Sequence, residues 1–549
     1  MRNREDDNGA QTIMTVSNVS STPPSLWWRS GAIYQIYPRS FQDSDGDGVG
    51  DLEGIIARLD YVADLGVDAI WISPVFPSPM ADFGYDVSDY VAIDPMFGSL
   101  ATFDRVVSEA HRRGLKVILD YVPNHTSDRH PWFIESRSSR DNPKRDWYVW
   151  RDAKPDGAAP TNWVSEFGGG AWSWDAPTAQ FYYHAFLREQ PDLNWRNPEV
   201  VAAMHDVLRF WLARGVDGFR VDAVHHLIED ADLTDDPPNP LWREGMAPAR
   251  RFLRLHSMDR PEVHDAIAGM RAVVDEYGGD RLLIGEAYLP LDRLVLYYGG
   301  DLKGFHLPFN FHLITTPWNP TAITALVDAY EAKLPHGAWP NWVLGNHDRS
   351  RLASRIGDDQ ARVAAMLLLT LRGTPTLYQG DEIGMGDVPI PADRIQDPWE
   401  KNVPGLGLGR DPVRTPMQWD ASDNAGFSSA EPWLPLSRDF AEVNVAAQSA
   451  APGSILSLYR ALLALRRAEP ALSLGDYAPL IATEEVLAYE RRFGPRRLLI
   501  VLNLTGRPAR IEAPHSRVLL STGSRRLGEE IAGTMAIAPN EGFIAEFAP

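Results

Sequence analysis

The sequence contains no cysteine. Disulfides, thiolate metal sites and a cysteine nucleophile are therefore excluded, and the usual sign of secretion is missing, which favours a cytoplasmic location. Long apolar runs are also missing. The N-terminal stretch MRNREDDNGAQTIMTV holds no segment suited to a signal peptide. No run approaches the roughly 18–20 apolar residues that a membrane span needs, and the longest, Val363–Leu369, reads as buried helix. Basic charge is in deficit, with a formal net charge of −21 at pH 7. A chain this acidic repels phosphate backbones and anionic lipid, so neither nucleic acid nor membrane is an expected partner. A small neutral substrate is compatible with it.

What is abundant is aromatic. There are 18 Trp, 18 Tyr and 20 Phe, whose faces suit both a large core and the flat C–H faces of sugar rings. At 549 residues the chain exceeds one hydrophobic core, and two to four domains are expected. Residues 1–25 are polar, end in Ser-Thr-Pro-Pro and read as a disordered lead-in. From Ala32 onward, short β-rich runs alternate with helical patterns such as LEGIIARLDYVADLG and FDRVVSEAHRRGL. Eight such runs stand near 32–37, 68–73, 115–122, 216–224, 282–289, 304–311, 341–348 and 374–380. Eight strand–helix units predict an α/β protein, a (β/α)8 TIM barrel over 26–124 and 191–472. The long gap after the third strand, rich in Trp, Gly, Pro and Asp, predicts a small inserted domain over 125–190. A second insertion is expected over about 381–430. From 473 to 549, EVLAYERRF, RRLLIVLNL and RVLLST predict a C-terminal antiparallel β-sandwich.

In such a barrel the reacting groups sit at the C-terminal ends of the strands. Those ends carry Asp120, Asn124 and His125 on strand three, Arg220 and Asp222 on strand four, Glu286 on strand five, and Asn346, His347 and Asp348 on strand seven. One Asp at a strand end is more often a helix cap. Acidic groups at four strand ends repel one another, and some function must gain from the crowding. Glycoside hydrolysis does, because it needs a carboxylate and a carboxylic acid flanking the scissile bond. Arg220, two residues before Asp222, shares its strand face and favours the ionised nucleophile. The consecutive His225 and His226 read as packing or as pocket wall.

FRVDAVHH, GEAYL, NHD and DYVPNH resemble the four motif regions of glycoside hydrolase family 13, the α-amylase family. QPDLN at 190–194 is similar to the extra motif of its oligo-1,6-glucosidase and α-glucosidase subgroup. The resemblance implies Asp222 as nucleophile, Glu286 as general acid/base and Asp348 as transition-state stabiliser, with substrate contacts from His125, Arg220 and His347. It implies that Asp82 and Tyr85, in ADFGYD, hold and stack on the terminal glucose, and that an arginine of GRDPVRTPMQWD pairs with Asp82. Arg414 is favoured over Arg410 for that pairing. Phe167, Phe186 and Gln190 stand where related enzymes line the entrance, with packing inside the inserted domain as the alternative.

DSDGDGVGD, from Asp43 to Asp51, gathers hard oxygen ligands around glycine turns, which suits Ca²⁺. Its twelfth position is Gly54, where an EF-hand carries a bidentate Glu. It resembles instead the calcium loop of the subgroup, which implies Asp43, Asp45, Asp47, the Val49 carbonyl and Asp51 as ligands of a structural ion, with Mg²⁺ as the alternative occupant.

The expected function is a retaining, exo-acting α-glucosidase acting on maltose-type α-1,4 links and sucrose, with some transglucosylation. The alternatives are an α-glucosyltransferase, an oligo-1,6-glucosidase or a sucrose isomerase, and, from another class, a non-catalytic sugar-binding or transporter-partner relative. The residue after the nucleophile, commonly Val for α-1,6 and Thr for α-1,4 substrates in the subgroup, is here Ala223. ADRIQDPWEK at 392–401 is similar to bacterial α-glucosidases rather than to the Arg-rich loop of sucrose isomerases.

Overall fold

A computed structural model describes residues 26–278, 280–523 and 525–548; the expected lead-in at 1–25 lies outside the described residues. Eight short parallel strands form the centre: β1 (Ile33–Ile36), β2 (Ala69–Ile72), β3 (Lys116–Tyr121), β4 (Gly218–Val221), β5 (Leu282–Gly285), β6 (Leu307–Pro308), β7 (Asn341–Val343) and β8 (Thr374–Tyr378). They pair in the order β7-β8-β1-β2-β3-β4-β5-β6. A parallel bridge from Asn310, just past β6, to Trp342 on β7 closes the ring. All eight expected strands are present, and each is buried along nearly its whole length, as a parallel sheet covered on both faces requires.

The helices start where the sequence provides caps. Asp51 accepts from the Gly54 amide to begin Leu52–Leu65, and Ser99 accepts from Thr102 to begin Leu100–Arg112. Asn197 and Asn319 cap Pro198–Ala213 and Pro320–Lys333, each with proline in the first helical turn. Gly66 ends the first of these helices at φ 98°, a left-handed turn that costs any other residue a Cβ clash. Gly285 has another reason to be glycine: a Cβ there would lie 2.4 Å from the Phe305 ring. The apolar run Val363–Leu369 falls inside the buried helix Asp358–Thr370. Among the described residues, no helix is long and apolar enough to cross a membrane.

The excursion after β3 contains a three-stranded antiparallel sheet made of Trp150–Arg151, Gln180–Tyr183 and Trp172–Asp175. The segment after β8 has only short helical turns before the helix Ile455–Ala468. At the C-terminus six antiparallel strands run between Asp476 and Phe547, the last of them, Gly542–Phe547, inserted between the third and fourth. Period-two alternation divides this sheet cleanly. Leu487, Tyr489, Leu498, Ile500 and Leu502 join the barrel's core, while Val486, Ala488, Leu499, Val501 and Phe543 build a second core against Ile511, Val518 and Ile531.

Two buried arginines, Arg491 on this sheet and Arg466 on the helix Ile455–Ala468 before it, tie this end of the chain to the barrel. Arg491 donates to the carbonyls of Thr370 and Gly475. Arg466 donates to Leu369 and Leu472 at 3.0 Å each and to Gly373 at 2.6 Å. Burial pulls their pKa values down to about 9 and about 10. Replacing Arg466 with Leu would strand three carbonyls from three segments without a donor. The expected loss is on the order of 3 kcal/mol, read as a lower thermal midpoint with substrate affinity unchanged.

Candidate active site

The C-terminal mouth of the barrel is organised around one guanidinium. On β4, Arg220 is 1% exposed, and its register partner on β3 is Asp120. Its Nη1 donates to Asp222 Oδ1 at 2.7 Å and to Asp120 Oδ1 at 2.8 Å, and its Nη2 lies 2.7 Å from Glu286 Oε2. Three carboxylates from three strands thus share one cation. The rings of Trp71 and Tyr85 lie 5.1 and 5.7 Å from the Arg220 carbon. Burial pushes the Asp222 carboxyl well above its ordinary range; Arg220 opposes this, and Glu286, Asp120 and Asp348 add to it. Asp120 rises to about 6 for the same reasons, burial first.

Strand β4 ends in a strained residue. Ala223 adopts φ 45° and ψ 32°, left-handed for a residue with a Cβ, a conformation costing roughly 1 kcal/mol or more. The turn aims its N–H at Glu286 Oε2, 2.9 Å away. The local strain therefore fixes one oxygen of Glu286, and Arg220 holds the same oxygen from the other side.

His347 connects β7 to this group. Gln35 on β1 donates its amide nitrogen to His347 Nδ1 at 2.8 Å. An amide nitrogen only donates, so the ring carries its proton on Nε2, which points to the Tyr85 hydroxyl at 2.7 Å. That hydroxyl donates in turn to Asp120 Oδ2 at 3.2 Å. Burial holds the His347 pKa well below its usual value, and the ring stays neutral. Asp348 accepts from Arg414 Nη2 at 2.7 Å, with Arg410 Nη1 and His347 Nε2 each at 3.5 Å. Burial alone would raise its carboxyl, but the Arg414 and Arg410 guanidiniums hold it well below the usual range.

The closed end of the pocket corrects one expectation. Asp82 pairs with Arg410, Nη2 to Oδ1 at 2.6 Å, and not with Arg414. Arg414 is committed elsewhere: its Nε donates to the His347 carbonyl at 2.9 Å and its Nη2 to Asp348. Gln190 reaches the same corner, with its amide nitrogen 3.3 Å from Asp82 Oδ2 and 3.0 Å from His125 Nε2. Phe186 packs on His125 at 5.1 Å and on Phe167 at 6.2 Å. Phe167 lies 5.1 Å from the Arg410 guanidinium carbon and edge-on to Trp399 at 5.4 Å. Both phenylalanines therefore pack on the excursion after β3 and beside the Asp82–Arg410 corner, where Phe167 also meets Trp399.

Sequence reasoning did not find Gln35, Asp397, Trp399 or the Glu166–Arg254 ion pair. Arg254 and the His226 ring hold the Glu166 carboxyl at about 2 against the upward push of burial. His226 lies 3.5 Å from Glu166 and under Phe186, so it walls the site.

In the loop after β1, carboxylate oxygens of Asp43, Asp45 and Asp51 lie within 4.8 Å of one another. Asp43 takes the amides of Asp45, Gly46 and Gly48, and Asp51 takes Ser44 and caps the following helix. Asp47 does not join the cluster; its carboxylate accepts from the Val49 amide at 2.8 Å.

These features have close counterparts. Residues 35–475 match the family model described as alpha amylase, catalytic domain. A probable alpha-glucosidase of Rhizobium meliloti (strain 1021) is 43% identical over 523 residues, covering 92% of this chain and 95% of its own. An oligo-1,6-glucosidase of Parageobacillus thermoglucosidasius is 38% identical, covering 87% and 91%. Among solved structures, the alpha-glucosyl transfer enzyme XgtA superposes with a TM-score of 0.91 at 42% identity, covering 95% of this chain and 100% of its own. An inactive double mutant of MutB in complex with isomaltulose gives 0.88 at 35% identity, with the same coverage. A barrel mouth where one arginine holds three carboxylates, together with this match over most of the chain, makes the protein a member of the α-amylase family of glycoside hydrolases.

Proposed function

We propose that the protein is a retaining, exo-acting α-glucosidase that releases glucose from the non-reducing end of short α-glucosides, maltose-type α-1,4 links and sucrose among them. The observation that carries this reading is the sharing of Arg220 between Asp222 and Glu286. Two carboxylates on one guanidinium support the short spacing of a retaining pair, about 5 Å, over the wider gap that leaves room for an inverting water.

In this mechanism Asp222 attacks the anomeric carbon while the protonated Glu286 gives its proton to the departing glycosidic oxygen. The C–O bond to the leaving sugar breaks as the bond to Asp222 forms. Glu286, now a carboxylate, takes a proton from water, whose oxygen displaces Asp222 and releases glucose. Asp348, ionised between Arg414 and Arg410, accepts from glucose hydroxyls and opposes the positive charge that develops on the ring. The buried Asp82–Arg410 pair supports a pocket that admits a single terminal glucose, with Tyr85, His125, Gln190, Phe167 and Phe186 around it. The cysteine-free sequence supports a cytoplasmic site for this activity.

Transfer of the glucosyl unit to a second sugar is the second reading. It uses the same intermediate with a sugar hydroxyl in place of water, and similarity to an alpha-glucosyl transfer enzyme at 42% identity favours it. Calcium is read as structural, held by the clustered Asp43, Asp45 and Asp51 with the Val49 carbonyl, and with Mg²⁺ as the alternative occupant. It would neutralise clustered charge and fix the loop that caps the first helix.

Three outcomes test these readings. Asp222→Asn is expected to lower kcat on maltose by on the order of 10⁴-fold while the thermal midpoint holds; a few per cent of residual activity rules Asp222 out as the nucleophile. Asp82→Ala is expected to raise KM for p-nitrophenyl α-glucoside at least about tenfold with a smaller change in kcat; an unchanged KM would remove the closed pocket from the account. Chelation is expected to lower the thermal midpoint, and added Ca²⁺ to restore it, without altering kcat at low temperature; a midpoint indifferent to chelator contradicts the ion site.

A further inference from the structure

Asp397 is fully buried in the segment after β8 and faces Arg410 along one whole edge. Its Oδ1 accepts from Nη2 at 2.7 Å and its Oδ2 from Nε at 3.0 Å, and Oδ2 also takes the Arg410 backbone amide. This side-on grip fixes the plane of the guanidinium. Of the two protons on Nη2, one goes to Asp397 and the other to Asp82 Oδ1 at 2.6 Å. The remaining terminal nitrogen, Nη1, faces Asp348 at 3.5 Å.

The same carboxylate arranges the wall beside the cation. Asp397 Oδ1 accepts from the Trp399 amide at 3.1 Å and so caps the short helix Pro398–Asn402. Trp399 stands 5.9 Å from the Arg410 guanidinium carbon and edge-on to Phe167. From behind, Asp411 accepts from the amides of Gln396 and Asp397 at 2.6 and 2.9 Å, which locks the turn.

We propose that Asp397 is a positioning residue for glucose recognition: it orients Arg410 onto Asp82 and holds that cation 3.5 Å from Asp348, short of a close hydrogen bond. The argument rests on the α-glucosidase reading above. Were Asp397 uncharged, the nearest carboxylates to Arg410 would be Asp82 and Asp348, and nothing would fix the guanidinium plane. Asp348 already accepts from Arg414 at 2.7 Å. A second guanidinium drawn onto it would compete with glucose hydroxyls for its oxygens and loosen the closed end of the pocket. Asp222 and Glu286 are held separately by Arg220, so binding should suffer more than chemistry. The direction of the pKa shifts agrees. Burial raises both carboxyls at this corner, but Arg410 brings Asp397 down to about 2 while Asp82 stays above its ordinary value.

The test is Asp397→Asn, which keeps the side-chain volume and one acceptor oxygen but removes the charge and turns the second acceptor into an NH2 donor. Steady-state kinetics on maltose and calorimetric binding of the glucose-shaped imino sugar 1-deoxynojirimycin would be compared in wild type, Asp397→Asn, Arg410→Ala and the double variant. The expected result is a rise of about tenfold or more in KM and in the imino-sugar Kd for Asp397→Asn, with a smaller change in kcat. The double variant should be no worse than Arg410→Ala alone, because Asp397 acts through Arg410. Values within about twofold of wild type, a loss confined to kcat, or a double variant showing the product of both single losses would overturn the proposal. Where Asp397→Asn does not fold, Asp397→Glu serves instead: it keeps the charge but displaces it, and an unchanged Kd there overturns the proposal equally. Wild type that binds the imino sugar but cleaves no α-glucoside would count against the hydrolase reading alone, and the calorimetry would still read Asp397.

Discussion

The site depends on Arg220. Without a cation at the centre of the barrel mouth, Asp120, Asp222 and Glu286 would be buried carboxylates repelling one another, an arrangement that costs several kcal/mol per unpaired charge. With it, three strands are tied by one planar group whose donors match carboxylate geometry. Everything near the guanidinium serves to hold it. Trp71 and Tyr85 lie beside it, and Tyr85 is itself held by His347, which Gln35 fixes in turn. The barrel supplies this precision because Asp120, Arg220, Asp222 and Glu286 stand at or just past the ends of short, buried strands.

A second cation centre repeats the principle at the closed end of the pocket. Arg410 joins Asp82 and Asp397, and Arg414 holds Asp348. The two centres divide the work chemically. Arg220 spaces Asp120, Asp222 and Glu286. In the proposed function, the arginines after β8 would shape the hole that receives a glucose ring. That separation lets the segment after β8 alter selectivity while leaving the reacting pair in place.

Much of this was legible in the sequence. Eight β-rich runs between helical patterns gave the barrel, and the strand-end rule placed Asp120, Asp222, Glu286 and Asp348 at one mouth, although the strand before Asp348 already ends at Val343. What was not legible lay in irregular backbone. Arg410 and Arg414 are four residues apart in a segment with almost no regular structure, and no periodicity tells which one points to Asp82. The turn at Asp411–Val413 decides it. Asp397 lies thirteen positions before Arg410, and only the folded loop brings the two together. Gln35 sits inside β1 among apolar neighbours, where a buried amide is visible in sequence but its partner His347, in the loop past β7, is not. The barrel strand β6 is only two residues long, so its existence was readable from the pattern and its extent was not.

The most direct test of the account is chemical trapping of the intermediate. A slow fluorinated α-glucosyl substrate, followed by digestion and mass spectrometry, should place one glycosyl unit on the peptide that carries Asp222, and proton NMR of early hydrolysis product should show the α-anomer of glucose first. A label on any other peptide, or β-glucose as the first product, would contradict a retaining site built on Arg220 and Asp222.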